Sequence, residues 1–262
     1  MIILIRGTIK AILVFFLFSI FLSNCNTYEG NRRTRFVDSL FTYVLNTNCN
    51  NEYQTPNIQF GFKDSIIEKI SIVGFPCDTF DFNFNNFNDL NFLSIDGEFI
   101  VYFVPHPQNG LYNLQISHTN LFPDLPDLSN YDDLYGFSYN NNYSSLWGQY
   151  DTCFIDKLPK NIEFIDLSHN SFDYVIIDTV YKNISTLDLS WLNLKFLDSS
   201  IYKLKKLEFL SLIGNDSLKS IRIFEFPNLK SLKLPRTYNL NKDDLNYIIK
   251  NNIVCNIVND SL

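Results

Sequence analysis

The chain has 262 residues, of which 46% are hydrophobic and 19% charged. That is apolar enough to bury a sizeable core, which excludes an intrinsically disordered chain, and Gly 9 and Pro 9 exclude collagen-like and proline-rich classes. Twenty-eight acids against 21 bases leave a formal net charge of −7, which argues against a nucleic-acid partner.

The first predicted element is residues 1–25. Arg6 and Lys10 precede an uncharged apolar run from Ala11 to Leu22, closed by Ser23, Asn24 and Cys25. A basic start, a greasy centre and a small-residue exit are the three parts of a secretory signal. As a helix that run reaches only about 18 Å, short of a ~30 Å hydrocarbon core, so it reads as a cleaved signal rather than a membrane span. Leu22 to Cys25 also resembles a bacterial lipobox, which implies the alternative of a lipid anchor at Cys25. The chain has no second long apolar run.

Residues 26–66 read as an N-terminal helical cap, because Phe36, Leu40 and Val44 fall on one face of a helix over 35–45. From residue 67 a repeat sets in. Ile162, Ile165, Leu167, Asn170 and Phe172 fit L-x-x-L-x-L-x-x-N-x-L at every anchor. Leu207, Leu210, Leu212 and Asn215 follow the same frame, as do Ile184, Leu187, Leu189 and Leu194. The frame extends outward through units starting at Ile67, Leu90, Leu111, Leu134 and Leu229. Successive starts differ by 23, 21, 23, 28, 22, 23 and 22 residues, subtracting each start from the next. Asn239 and Leu240, with Leu245, Ile248 and Ile249 after them, read as a C-terminal helical cap over 239–262.

Residues 67–238 resemble the leucine-rich repeat superfamily, secreted or extracellular type. The resemblance implies an α/β solenoid: a leucine-rich-repeat horseshoe of about eight units with a parallel concave sheet and helical caps at both ends. It also implies that the asparagine nine residues into a unit bonds backbone of the adjacent turn. Asn142, Asn170 and Asn215 fill that position, Thr119 and Thr237 substitute in part, and Phe75, Glu98 and Leu192 predict looser turns. The 28-residue unit from Leu134 carries about five extra residues around 147–157, read as a longer outer turn or as a functional loop containing Trp147.

Of the five cysteines, Cys49 and Cys77 lie in the N-terminal cap and first turn. Their pairing is expected to stabilise by about 3.5 kcal/mol in a chain-entropy account. Cys153 and Cys255 lie about four units apart, roughly 19 Å, too far to join. Among the sequons, Asn142 and Asn215 sit at the buried ladder position, which leaves Asn183 and Asn259 as glycosylation candidates.

Catalytic and cofactor signatures are missing from the sequence. The three histidines have no metal-ligand spacing, and neither G-x-S-x-G nor any glycine-rich phosphate loop occurs. The expectation is therefore no enzyme, no metal and no cofactor. Side chains alternate along a strand, so the residues flanking the inward leucines form the concave face. Its central column runs Ser71, Ser94, Gln115, Ser138, Asp166, Asp188, Ser211 and Lys233. Phe164, Asp166, His169, Asp188 and Trp191 gather on two adjacent units, with His118 at a nearby strand end. Exposed aromatics beside charges suit interface anchors. The expected function is a secreted or cell-surface recognition module binding a protein or peptide partner there. The alternatives are a lipid-anchored or matrix/envelope structural protein and, with less support, a glycan-binding or hydrolytic one.

Overall fold

A computed structural model of the chain describes residues 56–257, apart from 64–65, 76–78, 82–83, 85–86, 99, 101, 105, 107–109, 120–124, 143–149 and 179. The chain forms a parallel β-solenoid. In order, the strands are β1 (Asn57–Lys63), β2 (Ile66–Val73), β3 (Thr79–Phe80), β4 (Phe92–Asp96), β5 (Tyr102–Phe103), β6 (Asn113–Ser117) and β7 (Gly136–Asn140). They continue as β8 (Tyr150–Ile155), β9 (Phe164–Asp166), β10 (Phe172–Ile177), β11 (Thr186–Asp188), β12 (Phe209–Ser211), β13 (Ser231–Leu234) and β14 (Val254–Ile257).

One 10-stranded sheet runs β1-β2-β4-β6-β7-β9-β11-β12-β13-β14. Only β1 is antiparallel to its neighbour; every later pairing in this sheet is parallel. The register follows the sequence period. Ile70, Leu93, Leu114, Phe137, Ile165, Leu187, Leu210, Leu232 and Cys255 are partners in succession across the sheet. A lone strand of this length cannot satisfy its own backbone groups, and each rung lends its edge to the next.

The inward column is dry: Leu187, Leu189, Leu210, Leu212, Leu232 and Leu234 are all fully buried. The returning segments vary. Early ones are extended and pair with each other, β3 with β5 and β8 with β10. Later ones are single 3₁₀ turns at Ile201–Lys203 and Ile223–Glu225. The residues of 150–155, read from sequence as part of a longer outer turn or loop, are an ordered strand, while Trp147 lies outside the described residues.

The two ends differ from the expected helical caps. The described part of 26–66 is no helix: β1 folds back on β2 as a hairpin and covers the first rung, placing Ile58 in the core. Its alternation of apolar and polar residues favours a strand over a helix. At the other end a helix, α1 (Lys242–Lys250), is present, with the Asn241 side chain accepting from the Asp244 amide as N-cap. It is followed by β14, which adds a further rung to the sheet, so this end is helix plus strand. The 35–45 helix, the signal segment and Cys25 lie outside the described residues.

Candidate functional site

Every unit has to turn sharply where its strand ends. Gly74, His118, Asn141, His169, Trp191 and Gly214 occupy the same place in their units, and each has a left-handed φ between 49° and 72°. One left-handed residue swings the chain about and delivers the next residue inward. Where that next residue is asparagine it bridges two turns. Asn170 donates to the Tyr139 and Leu167 carbonyls at 2.7 and 2.6 Å and accepts from the Asn142 amide at 3.0 Å. Asn215 donates to the Leu189 and Leu212 carbonyls and accepts from the Leu192 and Leu194 amides. Asn142 accepts from both the amide and the hydroxyl of Thr119, each at 2.7 Å.

The turns at Phe75 and Leu192 lack an asparagine of their own yet are tied. The Phe75 amide donates to the Asp96 carbonyl at 3.0 Å, and Leu192 borrows Asn215 from the following unit.

The corners stand at the strand ends, beside the open face of the sheet. There the structure brings His169 and Trp191 together, with ring centroids 5.7 Å apart and planes 16° apart. The far side of the indole lies on Gly214, where an added Cβ would come within 2.3 Å of the ring. Trp191 therefore paves the next corner while staying 41% exposed. A bulky side chain at φ 60° is strained, and such strain gathers at functional positions.

Parallel pairing sets Asp188 beside Asp166 on β11 and β9. Asp166 accepts from the Ser168 amide, the Ser138 hydroxyl and the Asn140 amide group at 2.8 to 3.0 Å. Asp188 accepts from the Ser190 amide and hydroxyl, and Ser190 in turn shares a hydrogen bond with Ser211. Burial is the main influence on the Asp188 carboxyl and holds it above its ordinary value. The Ser190 bonds and Lys233 oppose that rise, and Asp166 adds to it. Lys233 stands at one flank over the Phe209 ring and Lys69 at the other over Phe92, so the carboxylates occupy the middle of the face.

Phe164 is half-buried and leans over Gly136. His118 stands apart from the group, since the Asn141 corner lies between it and His169. It hydrogen-bonds Asp96 through Nδ1 at 2.6 Å, and Ser117 donates to the same carboxylate oxygen. Ser117 is thus bonded to the acid, so this trio does not arrange a serine nucleophile for the imidazole.

Sequence reading placed Ser138, Asn140, Ser190 and Ser211 on the open face but missed their role: Ser138 and Asn140 hold Asp166, and Ser190, itself bonded to Ser211, holds Asp188. For Ser168 and Ser190 alone a signal was present, as Asp-x-Ser at 166/168 and 188/190, a spacing at which a carboxylate caps the amide two residues on. The same device recurs at Asp127 with Ser129 and at Asp198 with Ser200.

Cys49, Cys77 and Asn259 lie outside the described residues. Cys153 and Cys255 are free thiols, and burial pushes Cys153 up to about 12, which makes it inert. Asn183 is half-buried and accepts from Lys206 Nζ at 2.7 Å. Among the described residues no three His, Cys, Asp or Glu side chains gather to hold a metal, and no helix is long and apolar enough to cross a membrane. No protein-family model matches the chain, and no curated protein matches it in sequence.

Proposed function

We propose that this chain is a leucine-rich-repeat recognition module, secreted or held at the cell surface, that takes a protein or peptide on the open face of its long sheet. The observation that carries this reading is the rim and face of units 162 and 184. There a strained, partly exposed Trp191 stacked on His169 adjoins two neighbouring carboxylates and Phe164. Aromatic anchors beside desolvated charge are what alanine scans find at the centre of interfaces. The lattice of hydrogen bonds around Asp166 and Asp188 fixes their positions before a partner arrives, which lowers the ordering cost of binding.

The repeat frame and the asparagine ladder support the family assignment. The basic-apolar-small pattern of residues 1–25 supports export, either by cleavage or with a lipid anchor at Cys25. In an exporting, glycosylating cell Asn183 is the described site for a glycan, at the cost of its bond to Lys206. The reading is of a scaffold that binds, with no catalytic step.

The test is capture of surface and secreted proteins by the 26–262 fragment, compared with Asp188→Lys combined with Trp191→Ala. Capture is expected to fall at least tenfold, while the thermal midpoint moves little. Equal loss of capture and fold would make the patch a packing feature and end the proposal.

A further inference from the structure

A solenoid rung is buried by two neighbours, and among the described residues the rung of β14 has one. The effect is visible down a single inward column: Leu234 is 0% exposed, whereas its partner on β14, Ile257, is 46% exposed. Val254 is exposed on the open face of the same strand, beside Ser231, and Ile249 of α1 is 72% exposed. β14 pairs with β13 on one side and has no strand partner on the other among the described residues. Exposed edge strands usually carry a lysine, a proline or a bulge that keeps other strands away. Here the run from Asn251 to Ile257 has no charge and no proline.

The pattern of that run is also symmetric. Cys255 and Ile257 continue the inward columns of Leu232 and Leu234, and Ile253 is buried on the inner side. Reversing the strand about Cys255 exchanges Ile253 with Ile257 and Val254 with Asn256, so inward residues still face inward. No like charges oppose each other in that arrangement.

We propose that two copies of this chain pair edge to edge through β14, antiparallel, with Cys255 facing Cys255 across the two-fold axis. An isologous contact of this kind closes both open ends with one surface. The strand is short, and the contact falls well under the ~1,200 Å² of standard stable interfaces, so the unlinked dimer is weak and concentration-dependent. Directly opposed residues of an antiparallel pair have Cα atoms about 4.5–5.5 Å apart, inside the range a disulfide spans. Oxidation therefore traps the pair. Each Cys255 thiol gives up one proton and one electron, the sulfur–sulfur bond forms, and the azo group of diamide takes both electrons and both protons to become a hydrazine.

The experiment mixes equal amounts of nitrogen-14 and nitrogen-15 full-length chain, adds diamide, and maps linked peptides by mass spectrometry without reduction. A Cys255–Cys255 peptide is expected, about half of it of hybrid isotope composition, and none in Cys255→Ser. Val254→Lys with Asn256→Lys places lysine opposite lysine in the proposed register. Both side chains are exposed in the single chain, so the thermal midpoint should hold while linking slows at least tenfold. Linking of Cys255 only within one chain or to other cysteines overturns the proposal. So does linking of the double-lysine chain at the unaltered rate, which would mean random collision. Shortening the chain after Ile257 should leave the yield unchanged; if linking appears only then, residues 258–262 are the occupant of this edge instead.

Discussion

Asn215 is wholly enclosed, yet both atoms of its amide are engaged by backbone from two turns. Asn215→Ala leaves the Leu189 carbonyl and the Leu192 and Leu194 amides without their side-chain partner in a dry place, while the Leu212 carbonyl keeps the backbone amide of residue 215. It is expected to cost about 3 kcal/mol, read as a lower midpoint in urea unfolding. Asp188 is governed by the opposite logic. Burial lifts its folded pKa above the ordinary 3.8, so the native state binds that proton more tightly than the unfolded chain does. The contribution of this carboxyl to stability is greatest below pH 3.8 and declines as pH rises through the folded value. Asp188→Asn is therefore expected to be neutral or stabilising at pH 7, with its advantage vanishing near pH 3. A wild-type chain that gains on the variant between pH 4 and 7 would contradict burial as the cause.

The working element is a strand plus its left-handed corner. Leu189 is fully buried just after β11, and Leu189→Asp places a charge between Leu167 and Leu212. A loss of about 4 kcal/mol or more follows, expected as rapid proteolysis within the middle units. A soluble variant with one sharp melting transition at the original temperature would refute the register. At this scale the long sheet was readable from the sequence because inward leucines recur at 167, 189 and 212, and spacing alone aligns them. β1 was hidden by its setting: Ile58, Phe60 and Phe62 alternate as a strand should, but they adjoin a stretch with helical spacing. β14 escaped because Cys255 stands where other units carry leucine. The open-face columns were equally readable. The capture of Asp166 by Ser138 and Asn140 was not, since those residues lie 28 and 26 positions away in sequence and meet only once side-chain rotamers are set. The paving of Gly214 by Trp191 was out of reach for the same reason.

For the whole molecule, stability is a chain of neighbour contacts rather than one core. Removing 239–262 strips α1 and β14 and turns Leu232 and Leu234 toward water. The shortened chain is expected to bind a hydrophobic dye, melt lower, and lose hydrogen-exchange protection first at β13 and last at the middle rungs. Uniform loss along the sheet would instead indicate a single cooperative block. The parallel register of the long sheet has a further consequence, for time rather than strength. Each strand of a parallel pair meets its partner only 21 to 28 residues away in a chain of 262, which makes the relative contact order on the order of 0.1, closer to helical bundles than to sandwiches. Assembly can start on any formed pair and spread outward one rung at a time, so refolding should be quick for so large a chain built mainly of strands, and should not slow much if further units were spliced into its middle.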